Sequence, residues 1–174
     1  AEDDFLHALL LNPDQPLTLN YLGYSGLERG KNVEQAKEML ERALLKASQS
    51  GSIADSLGWA YYLTKEYDKA VTILEIAVAL DAGSGVINDH LGDAYWRSGR
   101  KREARFQWRK AMDLNDDFAA GDRDRVRLKL DKGLDEVGDK ISLTQEKKDD
   151  APADATAAKK TVKKNDSKKR ARKN

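Results

Sequence analysis

The run Asp55-Ser56-Leu57-Gly58-Trp59-Ala60-Tyr61-Tyr62 returns 34 residues later as Asp89-His90-Leu91-Gly92-Asp93-Ala94-Tyr95-Trp96. A further Leu-Gly pair, Leu22-Gly23, stands 35 residues before the first. Behind each glycine follows a trio of small, large and small residues: Ala36, Leu40 and Ala43; Ala70, Leu74 and Ala77; Ala104, Trp108 and Ala111. Offsets of four and three place each trio on one face of a helix. Self-similarity at such a period indicates stacked supersecondary units, none of which buries its apolar face alone.

Each unit reads as two helices, because Gly, Pro, Asn, Asp and Ser collect mainly at the joints. Joints within units fall near Gly30, Lys65 and Gly99, and joints between units at 12–16, 48–52, 81–85 and 115–117. Pro16 suits a first-turn position, where its missing N–H costs nothing. Small residues at fixed points let two helix axes approach closely, and the large residue between them fills the groove left on the neighbour.

These residues resemble the tetratricopeptide repeat family, whose two-helix unit of about 34 residues carries this signature. In its register Leu57, Gly58, Tyr61, Ala70, Leu74 and Ala77 match one repeat, and Leu91, Gly92, Tyr95, Gly99, Ala104, Trp108 and Ala111 the next. The first full repeat has one extra residue between Gly30 and Ala36 and Gly26 in place of the tyrosine; the closing proline is replaced by Ser48, Ala82 and Asp116. Ala1, Phe5, Ala8 and Pro13 match the second helix of a further repeat, which implies a chain cut from a longer protein.

The expected fold is all-α, a right-handed solenoid of helical hairpins. Its parts are the second helix of a truncated repeat (1–15), three repeats (16–50, 51–84 and 85–118), a capping helix (119–134) and a disordered lysine-rich tail (135–174). The capping helix is read from the stripe Val126, Leu130 and Leu134, set among Arg123, Arg125, Arg127, Lys129 and Lys132 on a polar outer face, with Gly133 ending it. An amino-terminal helix without its partner leaves part of the set Phe5, Leu6, Leu9, Leu10 and Leu11 uncovered, so self-association is expected at that end.

Over 174 residues, 31 basic and 30 acidic side chains leave a net charge of +1, which names no partner. The charge is segregated, with +7 on residues 151–174 and −6 on the rest. Every aromatic lies at or before Phe118, and a segment without aromatics has little to offset its ordering entropy. No apolar run reaches eighteen residues, so no transmembrane helix is expected.

With no cysteine there is no disulfide, thiolate zinc site or cysteine nucleophile. His7 and His90 are the only imidazoles, and His90 points away from its neighbour Asp89 on a helix. Gly23-Tyr24-Ser25-Gly26 is one residue shorter than a nucleophile elbow and sits inside a helix. No phosphate loop, dinucleotide fingerprint or histidine pair at metal spacing occurs. The chain is therefore read as non-catalytic, without cofactor, metal or small-molecule substrate.

The informative positions lie beside the packing stripe on each first helix: Asn20, Tyr24 and Leu27; Asp55, Trp59 and Tyr62; Asp89, Asp93 and Trp96. The resemblance implies that they line a concave surface where extended peptides or partner helices bind. Trp59, Tyr62 and Trp96 are the expected anchors, since aromatics carry much of interface energy. The three aspartates would favour an apolar or basic protein segment over an acidic one. A subtype of the family clamps an acidic carboxyl terminus with lysine and asparagine pairs on this face; here Asn20 and Tyr24, Asp55 and Trp59, then Asp89 and Asp93 occupy those positions, and no such clamp is expected.

An alternative function is association with nucleic acid or anionic lipid through Lys159, Lys160, Lys163, Lys164, Lys168, Lys169, Arg170, Arg172 and Lys173, whose charge suits phosphates in a salt-sensitive way. No aromatic is interleaved there for base stacking. The primary expectation is an adaptor or scaffold. The repeats are also similar to the carboxy-terminal block of larger bacterial tetratricopeptide proteins, some of them envelope adaptors. That similarity implies a periplasmic or membrane-associated site, with the cytoplasm as the alternative.

Overall fold

A computed structural model of the chain describes residues 7, 10–30, 32–114 and 118–139. The expectations for the lysine-rich tail beyond residue 139, and for Phe5, Leu6 and Leu9, lie outside the described residues. Regular structure among the described residues is entirely helical. Three hairpins follow one another, α1 (Pro16–Glu28) with α2 (Val33–Lys46), α3 (Gly51–Leu63) with α4 (Tyr67–Leu80), and α5 (Gly85–Arg97) with α6 (Lys101–Asp113). Then come α7 (Asp122–Lys132) and the short α8 (Leu134–Val137). The chain forms the expected helical-hairpin solenoid with a capping helix.

Local chemistry sets the ends of these helices. Ser50 and Ser84 cap α3 and α5 by accepting from the N–H groups of Ile53 and Ile87, each relieving one of the donors left over at a helix start. Pro16 stands in the first turn of α1. The joints within hairpins reverse through a left-handed residue, Gly30 at φ 60°, Lys65 at φ 63° and Gly99 at φ 84°.

Close approach within each hairpin explains the Leu-Gly pairs. A Cβ on Gly58 would lie 2.5 Å from Leu74 Cγ, and one on Gly92 would lie 2.4 Å from the Trp108 ring. Leu40, Leu74 and Trp108, the large members of the trios, are completely buried. Successive hairpins are tied by the tyrosines three residues behind the last two glycines. Tyr61 donates to Glu41 and Tyr95 to Glu75, each at 2.7 Å. Burial, and then the partner glutamate, push both phenols up to about 12. Leu10 and Leu11, at the amino-terminal end, are 79% and 78% exposed.

The carboxy-terminal boundary differs from the expectation. Order was expected to fade from residue 135, yet residues 134–139 are placed against the repeats. Leu134 is fully buried in the core shared by the second and third hairpins. Asp135 and Asp139 pair with Arg97 on α5. Gly133 ends α7 as expected, at φ 86°, and its missing side chain makes room for the Trp96 ring, which a Cβ there would meet at 2.7 Å.

Candidate functional site

The first helices α1, α3 and α5 stand side by side. Repetition at 34 to 35 residues brings Asn20, Tyr24 and Leu27, then Asp55, Trp59 and Tyr62, then Asp89, Asp93 and Trp96 into three equivalent rungs. The rungs differ in what covers them. On α1, Asn20 and Tyr24 are half-buried and Leu27 is buried. Burial, with the charges of Glu28, Asp55 and Asp122 behind it, raises the Tyr24 phenol.

The rings expected as groove anchors are packed: Trp59 is 7%, Tyr62 3% and Trp96 7% exposed. Trp59 lies between two other rings, stacked on Tyr62 at 4.6 Å and on His90 at 4.2 Å between centroids. Trp96 rests against Trp108 at 5.3 Å and beneath Lys101, whose ammonium stands 4.6 Å from its centroid. These residues stand on the first helices, and large rings at such positions reach across to the neighbouring helix and join the core.

The carboxylates also have partners. Asp55 accepts from His90 Nδ1 at 2.8 Å across the α3–α5 interface. Burial works against a charged His90, but Asp55, backed by Asp89 and Asp93, outweighs it and holds the imidazole above its ordinary value. Lys129, expected on the outer face of α7, is instead 1% exposed. Its ammonium donates to Asp89 at 2.7 and 2.9 Å and to Asp93 at 2.7 and 2.8 Å. Trp108 Nε1 adds a bond to Asp93 at 2.9 Å. Burial lifts the Asp93 carboxyl to about 6 against the pull of Lys129. For Lys129 burial is outweighed by Asp93 and Asp89, and its value is raised. The aspartates expected to repel acidic ligands are thus largely neutralised from within the chain.

Residues beyond α7 continue across the row. Arg97, at the end of α5, holds Asp139 through Nη2 at 2.8 Å and Nε at 3.3 Å, and Asp135 through Nη1 at 2.9 Å. The Tyr62 hydroxyl also donates to Asp139. Sequence reading missed Arg97, Asp139, Lys129 and the His90–Asp55 pair. Only Lys129 carried a signal: it stands three residues after Val126 and next to Leu130, on the buried side of that stripe. Among the described residues there is no cluster of His, Asp and Glu fit for a metal ion, and no helix long and apolar enough to cross a membrane. Ser25 lies within α1, where its hydroxyl accepts from Arg29.

Residues 87–118 match the tetratricopeptide repeat family. No protein of curated function matches the chain. Solved structures of similar fold include a thermophilic TPR protein of Thermus thermophilus, 26% identical over 77% of this chain and 71% of that one, with a TM-score of 0.61. Another is the type III secretion translocator chaperone SycD of Yersinia enterocolitica, 18% identical over 74% and 83%, TM-score 0.61. The first TPR domain of human RPAP3 is 18% identical over 81% and 100%, TM-score 0.60. The resemblance read from the Leu-Gly repeats holds: the chain is similar to tetratricopeptide-repeat proteins in sequence at its third repeat and in fold over most of its described length.

Proposed function

We propose that this tetratricopeptide-repeat solenoid is a non-catalytic scaffold that holds a segment of a partner protein along its first-helix row. One observation carries the reading. The row already holds polypeptide, since Lys129 and residues 133–139 of the chain itself lie on the rungs of α3 and α5. A surface that orders such a segment in cis has the chemistry to order one in trans. Among the described residues, the rung on α1 has the fewest polar partners of the three. Buried there is Asn20 Oδ1, which has no hydrogen-bond partner among the described residues. A buried acceptor of that kind favours a donor brought by a ligand. Tyr24 beside it supplies apolar area with a polar tip, the combination enriched at interfaces.

The partner class this supports is a protein segment with a backbone or side-chain donor for Asn20 and an apolar residue for Tyr24. A structural neighbour named as a secretion chaperone is consistent with protein ligands. Replacing Tyr24 by a photoreactive phenylalanine analogue tests the reading. Cross-links to the recovered partner are expected from position 24. Cross-links only from an outer-face position such as 106 would overturn it.

A further inference from the structure

We propose that Arg97 and the Tyr62 hydroxyl form a carboxylate-binding subsite, filled here by the chain's own Asp139, which in a complex receives an aspartate or glutamate side chain of the partner segment. The inference rests on partner binding along the first-helix row and assigns the charge of one anchor there.

The donors come from different repeats and are set by the stack, not by local sequence. Tyr62 stands at the end of α3 and Arg97 at the end of α5. The Tyr62 ring is held by stacking on Trp59 and by an edge contact with Tyr67 at 5.5 Å. Its hydroxyl therefore keeps one direction, and burial, with the nearby carboxylates, holds the phenol protonated as a donor. Arg97 offers the planar fork suited to a two-point carboxylate contact and uses it on Asp139 at 2.8 and 3.3 Å.

The occupant is exchangeable in a way that Lys129 is not. Lys129 is sealed at 2% side-chain exposure, whereas the Asp139 side chain is 28% and that of Asp135 56% exposed. The exposed Asp135 pair adds little to holding the segment, and the Asp139 carboxylate remains within reach of solvent and so of a competing carboxylate. Apolar anchoring of this segment is confined to its start, where Leu134 is buried, and next to Asp139 the backbone is held by Arg125, which donates to the Gly138 carbonyl, so the Asp139 side chain can leave Arg97 without uncovering the core. The subsite also lies at the carboxy-terminal ends of α3 and α5, away from positions 20, 55 and 89. A partner that meets both places would carry an acidic residue at one end and an apolar, donor-bearing stretch at the other.

The test uses the full chain and a fluorescein-labelled, end-blocked peptide with the sequence of residues 133–142. In the parent the tethered Asp139 competes at high effective concentration. Asp139→Ala is expected to bind the peptide at least tenfold more tightly than the parent does. Adding Arg97→Gln should return binding to the parent level, and Tyr62→Phe, which keeps the ring, should weaken it severalfold at unchanged circular dichroism. A peptide with Asn at the position of Asp139 should not bind the Asp139→Ala chain. Equal affinity of parent and Asp139→Ala, or tight binding that survives Arg97→Gln, would overturn the subsite. The peptide assay reads the subsite alone and the cross-link from position 24 reads partner binding at α1, so failure of the one and failure of the other are distinguished.

Discussion

His90 Nδ1 lies 2.8 Å from Asp55 Oδ1, so two consecutive repeats are joined by an ion pair buried beside the Trp59 ring. The imidazole is raised in the folded chain. A group raised above its unfolded value stabilises the fold fully below the unfolded value, about 6.5 for histidine, and ceases to do so as pH rises through the folded value. Stability by urea denaturation should therefore fall between pH 6 and pH 8.5. His90→Gln should flatten that dependence and bring the chain at pH 6 close to its stability at pH 8.5.

Lys129 is the counter-charge for two carboxylates, one of them almost fully buried. Removing one member of a buried charge cluster typically costs about 3 to 5 kcal/mol, because the others are left uncompensated. Lys129→Met is expected to lose at least about 3 kcal/mol at pH 7.5. The loss should shrink at pH 5, below the value of about 6 at which the Asp93 carboxyl takes up a proton. An equal loss at both pH values would contradict the assignment of Asp93 as the group left bare.

Gly58 and Leu74 should behave as one packing unit. Leu74→Ala opens a cavity and is expected to cost about 2 to 5 kcal/mol. Gly58→Ala drives a methyl against Leu74 and should cost about 1 to 3 kcal/mol. Together they should cost less than the sum, by at least about 0.5 kcal/mol, since the smaller side chain at 74 accepts the new methyl. Strict additivity in thermal denaturation would show that the two helices do not meet there.

Lys65 holds φ 63° at the joint where the other two hairpins have glycine. A side chain in that region costs about 1 kcal/mol or more, partly offset by the entropy glycine adds to the unfolded chain. Lys65→Gly is expected to raise stability by up to about 1 kcal/mol, measured as an increased urea midpoint.

The fold was legible because its determinants are local and periodic. Gly58 with Leu74, and Gly92 with Trp108, repeat at a fixed interval, and the joints at Gly30, Lys65 and Gly99 appear where turn residues interrupt helical periodicity. The candidate row was legible only as positions. Spacing located Trp59, Tyr62 and Trp96 correctly on the first helices but could not say that each ring reaches its neighbour, because that depends on how closely consecutive hairpins approach. Nor could it pair Lys129 with Asp89 and Asp93, or Asp139 with Arg97. Those contacts join residues 36 to 42 positions apart through the return of the chain after α6, and no local pattern encodes that return.

Burial also changes which residues can report on binding. Trp59→Ala and Trp96→Ala would remove core rings and lower stability by about 3 to 5 kcal/mol, obscuring any change at an interface. Tyr24, on the α1 rung, is half-buried, so its ring can be removed with a smaller effect on folding.

The most direct measurement is the affinity of the recovered partner for Tyr24→Ala and for Phe106→Ala, a ring 60% exposed on α6, each first confirmed as folded by circular dichroism. Binding through the first-helix row predicts that Tyr24→Ala weakens the complex at least tenfold, about 1.4 kcal/mol, while Phe106→Ala binds as the parent does. Parent-like affinity for Tyr24→Ala together with a tenfold loss for Phe106→Ala would contradict it.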